Sequence, residues 1–427
     1  MLLVMIIFLL LLVLGMPLAF CVGISSFMYI VLDPSVPLAV GVQKMISATQ
    51  SFPLLAVPFF VMAGNLMNEC GITRRLIRLA TVLTGHLIGG LAHVSVVLSA
   101  LMGGVSGSAV SDVAMESRLL GPSMIKQGYS KGYTAAVIGL SSLITATIPP
   151  GLGLILYGLT GEVSIGRLFI AGLIPGILMT FILMGVVYLT AKKKGLQPVN
   201  ARPPKFREVI HELKDSIWAL LFPFILIVGI RFGIFTPSEA GAFAVVYAMV
   251  IGFFVYKELT LKKLLIAIEN SVKDNAMIML IIACSGIFGY AIITERVPQI
   301  MAASMTGLTS NPVILLGIIL LFLLVVGMFM EATVNVLLLT PIFLPIVQSV
   351  GVDPVHFGIL MMTLVTMGGM TPPVGVAMYT ACSLLDCPTE SYVKESIPFV
   401  TAIILEVIIL ALFPQIVLWL PNLVYGG

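Results

Sequence analysis

Long apolar blocks alternate with short polar breaks from one end of this chain to the other. Residues 1–32 are almost wholly apolar but are interrupted by Gly15-Met16-Pro17. Proline cannot donate the bond that would carry a helix onward, so two helices are expected to meet there. The same interruption recurs as Phe235-Thr236-Pro237, between apolar stretches at 216–232 and 238–256. Residues 53–68 predict the next span, and 276–293 echo it. Residues 92–105 and 312–329 are each followed by a polar break and a second apolar stretch. The first of these is too short to cross a hydrocarbon core of ~30 Å and has the right length for one arm of a re-entrant hairpin. Residues 132–158 and 356–383 are long spans broken at Pro-Pro pairs, and 166–190 and 397–421 are the closing spans of each half.

The two halves repeat each other. The first reads GGVSGSAVSDV around Asp112, then Pro122, then TIPPGLG with Pro149 and Pro150. The second reads VGMFMEATVNV around Asn335, then Pro345, then MTPPVG with Pro372 and Pro373. Pro122 to Pro345 and Pro149 to Pro372 are both 223 residues, which places Gly104 on Gly327 and Asp112 on Asn335. Paired halves that interrupt apolar helices with Gly-rich and Pro-rich breaks point to a secondary transporter with its site at the repeat interface. The expected fold is an all-α polytopic membrane protein of two inverted repeats, 1–191 and 216–427. Each carries a re-entrant hairpin (about 92–121 and about 312–350) and a Pro-broken helix, and 192–215 form a cytoplasmic linker.

Composition agrees: 59% of residues are hydrophobic, only 10% are charged, and the mean hydropathy is +1.15. A soluble domain has no use for so much apolar surface. The net charge of +3 is no nucleic-acid signal, because the basic residues sit in loops. They also test the threading. With a periplasmic N-terminus and inverted halves, only Lys44, Arg167, Arg231 and Arg296 of the 22 lysines and arginines face the periplasm. That bias obeys the positive-inside rule and puts both termini in the periplasm. The linker holds KKKG, RPPK and a short charged helix, REVIHELKD. Residues 260–273 place Leu261, Leu264, Leu265, Ile268 and Val272 on one stripe, which reads as an interfacial arm or as the start of the next span.

Chemistry concentrates at the breaks. In Ser106-Gly107-Ser108-Ala109-Val110-Ser111-Asp112 the glycine lets the backbone leave helical geometry. Freed carbonyls and serine hydroxyls make hard oxygen ligands that suit Na⁺, and the open N-terminus of the next half-helix suits a carboxylate. Asp112 is read either as an ion ligand or as an N-cap in a small-residue packing face. In Glu331-Ala332-Thr333-Val334-Asn335 the buried carboxylate is a functional candidate by default. Glu331 is expected to tie the tip to its neighbour, and Asn335 to act as a ligand. Thr145-Ala146-Thr147-Ile148-Pro149-Pro150 and Gly368-Gly369-Met370-Thr371-Pro372-Pro373 free further carbonyls, so each break is expected to pair with its own tip. Ser108, Pro149, Thr333, Asn335 and Thr371 are the candidate contacts to substrate. Glu239, in Thr236-Pro237-Ser238-Glu239, reads as a capping box. Cys21, Cys70, Cys284, Cys382 and Cys387 read as buried hydrophobes and the four histidines as structural. There is no phosphate loop, no nucleophile–base set and no repeated filter ring, which argues against ATP hydrolysis, an enzyme or a channel.

These residues resemble the large membrane subunit of tripartite ATP-independent periplasmic (TRAP) transporters. The resemblance rests on PFFVMAGNLM at 58–67, SGSAVSD at 106–112, IPPGLGLILYG at 148–158, GIFTPSEAGAFAVVYA at 233–248 and GGMTPPVGV at 368–376. It implies an elevator-type, Na⁺-coupled carrier in the bacterial inner membrane. It also implies a small four-helix membrane subunit and a periplasmic substrate-binding protein as partners. The implied cargo is a carboxylate: a C4-dicarboxylate, a keto acid or sialic acid. The implied sites for two or more Na⁺ ions fall on Ser106, Ser108 and Asp112 with Thr145 and Thr147, and on Asn335 with Gly369 and Thr371. After the first tip the chain departs from the pattern with Val113-Ala114-Met115-Glu116-Ser117-Arg118, where Glu116 and Arg118 are expected to pair at the hairpin base. The alternative reading is a stand-alone Na⁺/dicarboxylate symporter of related fold.

Overall fold

The computed structural model describes residues 2–34, 36–308 and 311–426, and every regular element among them is a helix. Met1 and Gly427, on which the orientation of the ends bears, lie outside the described residues. In chain order the first part holds α1 (Leu2–Val13), α2 (Leu18–Leu32), α3 (Leu38–Thr49), α4 (Ala56–Glu69) and α5 (Ile72–Thr84). Next come α6 (Gly90–Gly103), α7 (Ala109–Leu119), α8 (Gly121–Lys126), α9 (Lys131–Thr147), α10 (Leu152–Thr160) and α11 (Ile165–Lys194). The remainder begins with α12 (Phe206–Arg231), α13 (Pro237–Val250), α14 (Leu261–Thr294) and α15 (Val297–Leu308). It ends with α16 (Pro312–Gly327), α17 (Ala332–Ser349), α18 (Pro354–Gly368), α19 (Val376–Leu384), α20 (Thr389–Leu412) and α21 (Pro414–Tyr425).

Two helices form the centre. Every residue of α9 from Gly132 to Thr147 is buried, and so is every residue of α18 from Val355 to Gly368. This burial explains why neither shows an amphipathic stripe: all sides meet protein. Around them pack the pairs α6–α7 and α16–α17, with α11, α19 and α20. A second layer is built from α2, α3, α4, α13 and α14, with α5 against α12. Outward faces of both groups carry large apolar side chains, Phe181 on α11, Phe224 on α12 and Phe254 after α13, as a lipid-facing surface requires. Among the described residues six helices are long and apolar enough to span a membrane, and two bent pairs also pass by length and composition: α3 with the segment Phe52–Glu69, bent by 58°, and α9 with α10, bent by 46° at the Pro149-Pro150 break.

Several sequence expectations take a different form. The stripe at 260–273 is no separate interfacial arm, because α14 runs unbroken from Leu261 to Thr294. The charged REVIHELKD segment is likewise the first part of α12, and only 195–205 of the linker are non-helical. The last span does not reach residue 421. It stops at Leu412, because Pro414 keeps Phe413 out of helical geometry (φ −122°, ψ 73°) and a new helix begins. The carbonyl of Leu410, deprived of its donor by Pro414, accepts instead from the buried His356 Nε2 at 2.9 Å. The Thr236–Glu239 capping box and its N1 proline are present, and all five cysteines are free and buried.

Contacts between distant parts of the chain tie the breaks into place. Lys131, at the start of α9, bonds Asp386 before α20 at 2.8 Å and thereby holds that carboxyl below its usual range. Tyr392, fully buried on α20, donates its hydroxyl to the Met370 carbonyl at the second Pro-Pro break at 2.9 Å. Removing that hydroxyl strands a buried carbonyl, at a cost of about 1–3 kcal/mol. Tyr392→Phe is therefore expected to lower the melting temperature of the purified protein by several degrees. An unchanged melting curve would show that the Met370 carbonyl has another donor.

Candidate functional site

Each hairpin turns where its sequence abandons helix formers. In the first, α6 ends at Gly103 and α7 begins after Ser108, whose hydroxyl faces the Ser111 amide at 3.5 Å, a long and weak cap. Gly107 lies at φ +59°, and a Cβ there would strike the Pro150 carbonyl. Glycine is the residue that allows this approach. The Gly107 carbonyl then accepts from the Leu152 amide at 3.3 Å. In the second hairpin, the Met328 carbonyl accepts from the Val374 amide at 3.2 Å. Gly327 and Gly368 meet there so closely that a Cβ on Gly327 would lie 2.9 Å from the Val365 carbonyl. Each tip is thus joined through backbone to the Pro-Pro break of its own half.

Behind the first tip, Asp112 is 1% exposed. Its Oδ2 accepts from the Thr145 hydroxyl at 2.6 Å, and its Oδ1 has no partner. Pro149 and Pro150 cannot donate to the carbonyls of Thr145 and Ala146, so acceptors accumulate here. The Ser106 hydroxyl is buried and also unpartnered. Thr147 folds back instead, donating to the Leu143 carbonyl at 2.9 Å. Behind the second tip, Asn335 is fully buried. Its amide Nδ2 donates to the Met330 carbonyl at 2.9 Å, which leaves Oδ1 without a partner. The second break is more self-satisfied than the first. The Gly369 carbonyl accepts from the Ala377 amide at 2.9 Å, and the Thr371 hydroxyl donates to the Gly368 carbonyl at 2.9 Å.

The two tips face each other across a cavity of about 70 Å³. Ser108, Ala146, Thr333 and Gly369 line it, together with Glu331 and Thr366. Asp112, Thr145, Pro149, Asn335 and Thr371 stand outside this lining. Glu331 does not tie its tip to a neighbour: its carboxylate accepts from the Thr333 hydroxyl of the same tip at 2.8 Å and borders the cavity. The reason is positional, since Glu331 is the N-cap residue of α17, two positions before Thr333.

Glu116 also departs from expectation and makes no pair with Arg118. It is fully buried one turn below Asp112, and its two oxygens accept from the hydroxyls of Ser95 and Ser99, the latter at 3.0 Å. Both serines reach Ser141 of α9, at 3.1 and 3.2 Å. Positions 112 and 116 share a helical face, whereas 118 turns away from it. Sequence reading missed Ser95, Ser99, Ser141 and Thr366, although a signal existed. Three neighbouring helices carry polar residues four apart in apolar surroundings: Ser95/Ser99, Asp112/Glu116 and Ser141/Thr145. Among the described residues no three His, Cys, Asp or Glu side chains gather as a metal centre. The acceptors are hydroxyl, carboxylate, amide and carbonyl oxygens, a hard set that fits Na⁺ far better than a transition metal.

Comparison with known proteins agrees with this architecture. The profile of the family described as "Tripartite ATP-independent periplasmic transporter, DctM component" matches residues 5–416. The uncharacterized protein YgiK of Salmonella typhimurium is 40% identical, over 97% of this chain and 96% of its own length. The sialic acid TRAP transporter large permease protein SiaM of Vibrio cholerae is 36% identical, over 96% of each chain. The C4-dicarboxylate TRAP transporter large permease protein DctM of Pseudomonas aeruginosa is 35% identical, over 89% of this chain and 88% of its own. Among solved structures, the YdaH transporter of Alcanivorax borkumensis shares the fold at a TM-score of 0.66 and 14% identity, over 90% of each chain. An all-helical membrane fold with paired, Pro-broken helices, matched over nearly its whole length by this profile, places the chain in the DctM family of tripartite ATP-independent periplasmic transporters.

Proposed function

We propose that this chain is the large transport subunit of a Na⁺-coupled uptake system for a carboxylated organic acid in the bacterial inner membrane. One observation carries the reading: Asp112 Oδ1 and Asn335 Oδ1, at corresponding positions of the two halves, are both buried and both unpartnered. A buried acceptor without a donor is costly, and a small hard cation satisfies it. Relatives named for sialic acid, C4-dicarboxylates and 2,3-diketo-L-gulonate support an organic acid as cargo.

In this reading Ser106, Asp112, Thr145 and the carbonyls freed by Pro149 and Pro150 hold one Na⁺. Asn335, with the Gly369–Thr371 segment, holds another. The tips enclose the substrate, with Ser108 and Thr333 presenting hydroxyls to its carboxylate and the N-terminal amides of α7 and α17 facing it. Ion binding orders the tips, and ordered tips complete the carboxylate site. Each occupant therefore favours the other, by the same factor in both directions. The tips and broken helices move as a unit against the outer layer. A small four-helix membrane subunit and a periplasmic binding protein complete the system, with both termini of this chain in the periplasm.

Two outcomes follow. Asp112→Ala and Asn335→Ala are each expected to raise the Na⁺ concentration for half-maximal uptake by about tenfold or more, measured in proteoliposomes holding the whole system. Unchanged Na⁺ dependence in both variants would remove the site assignment. Proteoliposomes holding this chain alone are expected to show no uptake from a panel of organic acids until the small subunit and binding protein are added. Uptake by the chain alone would instead support a stand-alone symporter.

A further inference from the structure

The acceptors at Asp112 are matched, one turn lower, by a polar cluster that transport chemistry does not require. Glu116 of α7 takes one hydroxyl on each carboxylate oxygen, from Ser95 and Ser99 of α6, and both serines meet Ser141 of α9. The cluster connects to Asp112 through Ser99 itself, whose backbone carbonyl lies 2.9 Å from the Thr145 hydroxyl, the same hydroxyl that bonds Asp112 Oδ2. Three helices thus contribute two tiers of polar residues, Ser95/Ser99, Asp112/Glu116 and Ser141/Thr145, each pair one helical turn apart.

We propose that Glu116 is a positioning residue for the first cation site: it fixes α7 against α6 and α9, and so sets where Asp112 Oδ1 points. The inference rests on the ion-coupled reading above and adds a residue to it. The Ser99–Glu116, Ser95–Ser141 and Ser99–Ser141 oxygens lie 3.0–3.2 Å apart, which are hydrogen-bond distances, and Ser95 bonds Glu116 more closely still. They link the helices directly and leave no room for an ion among them. The fold does not demand the cluster either. At positions 223 residues further on, the second half has Ile318, Phe322, Leu339 and Leu364 in place of Ser95, Ser99, Glu116 and Ser141, and the same hairpin and broken helix still form. The cluster is therefore specific to the half that has Asp112 where the other has Asn335. Helix α7 spans only Ala109–Leu119, so a shift of this short arm carries Asp112 with it. Ligand geometry tolerates only about 0.5 Å of such displacement.

The bonding can be met by glutamine. The side-chain amide introduced by Glu116→Gln would donate to one serine, and that serine would pass its own proton to Ser141. Leucine at the same position can make none of these bonds. Uptake by the complete reconstituted system is therefore measured as a function of Na⁺ for the parent, Glu116→Gln, Glu116→Leu and Ser141→Ala. Glu116→Leu is expected to raise the Na⁺ concentration for half-maximal uptake about tenfold, with little change in substrate KM at saturating Na⁺. Ser141→Ala should give a smaller shift, and Glu116→Gln should stay close to the parent. An unchanged Na⁺ requirement in Glu116→Leu overturns the proposal. So does Glu116→Gln behaving as badly as Glu116→Leu, because charge rather than bonding would then be responsible. Hydrogen exchange of the α7 amides separates this test from the reading beneath it. If parent uptake ignores Na⁺, the ion-coupled reading fails, yet faster exchange in Glu116→Leu than in Glu116→Gln still supports positioning. Equal exchange in the two variants refutes it. Should Glu116→Leu fail to fold, the Ser141→Ala and Glu116→Gln pair carries the same comparison.

Discussion

A helix that stops inside a bilayer leaves carbonyls and amides that lipid cannot bond. This constraint governs the centre of the molecule. The chain stops helices at four inner places: the two tips and the two Pro-Pro breaks. It brings them together in pairs, so that each interruption partly satisfies the other. The Leu152 amide reaches the Gly107 carbonyl, and the Val374 amide reaches the Met328 carbonyl. Glycine at 107, 327 and 368 is what lets the backbones approach closely enough. Among the buried oxygens these bonds leave without a partner are Asp112 Oδ1 and Asn335 Oδ1, and on that pair the functional reading stands.

The halves solve the same problem with different chemistry. The first supplies a carboxylate, free carbonyls and a polar cluster beneath them. The second supplies an amide, and it closes its break internally through Thr371, Gly368, Gly369 and Ala377. A carboxylate and an amide differ by a full charge in a medium of low dielectric, where such a difference is large. The two proposed ion sites, though equal in position, need not therefore have equal affinity. The polar cluster sits with the charged member of the pair, where displacement of the side chain changes the local electrostatics most.

Much of this was legible in the sequence because the signals were categorical. A proline pair within an apolar run breaks a helix whatever surrounds it, and a repeat spacing of 223 residues survives divergence of the side chains. The helix breaks between α6 and α7, between α16 and α17, and at both Pro-Pro pairs could be found in that way. Boundaries that depend on packing could not. Nothing local distinguishes an amphipathic arm at 260–273 from the first turns of α14, and REVIHELKD is a helix whether or not it continues into α12. Glu116 was misread for a related reason. Pairing it with Arg118 follows sequence proximity, whereas the helix puts Glu116 on the face of Asp112 and directs it to serines far away in the chain. Helix α5 was overlooked although Ile72, Leu76, Leu79 and Ala80 form a stripe, because its arginines mask the apolar count.

The size of the central cavity bears on how the site works. At about 70 Å³ it lies well below the ~300 Å³ at which pockets for small organic ligands begin. It has room for ions and water between the tips, so admitting an organic acid requires the tips to part. The structure makes separation cheap at one end and costly at the other. At the mouth each tip is held to its break by a single backbone bond of 3.2–3.3 Å, worth about 0.5–1.5 kcal/mol when exchanged for water or a ligand. Lower down, α7 is held by Glu116 to two serines, and it packs against α9 and α19. Breaking that contact would strand a buried carboxylate. In the proposed reading, opening is therefore confined to the tip residues, while the arms keep their register. A binding energy of a few kcal/mol is enough to select the parted state at the mouth without loosening the helices that carry it.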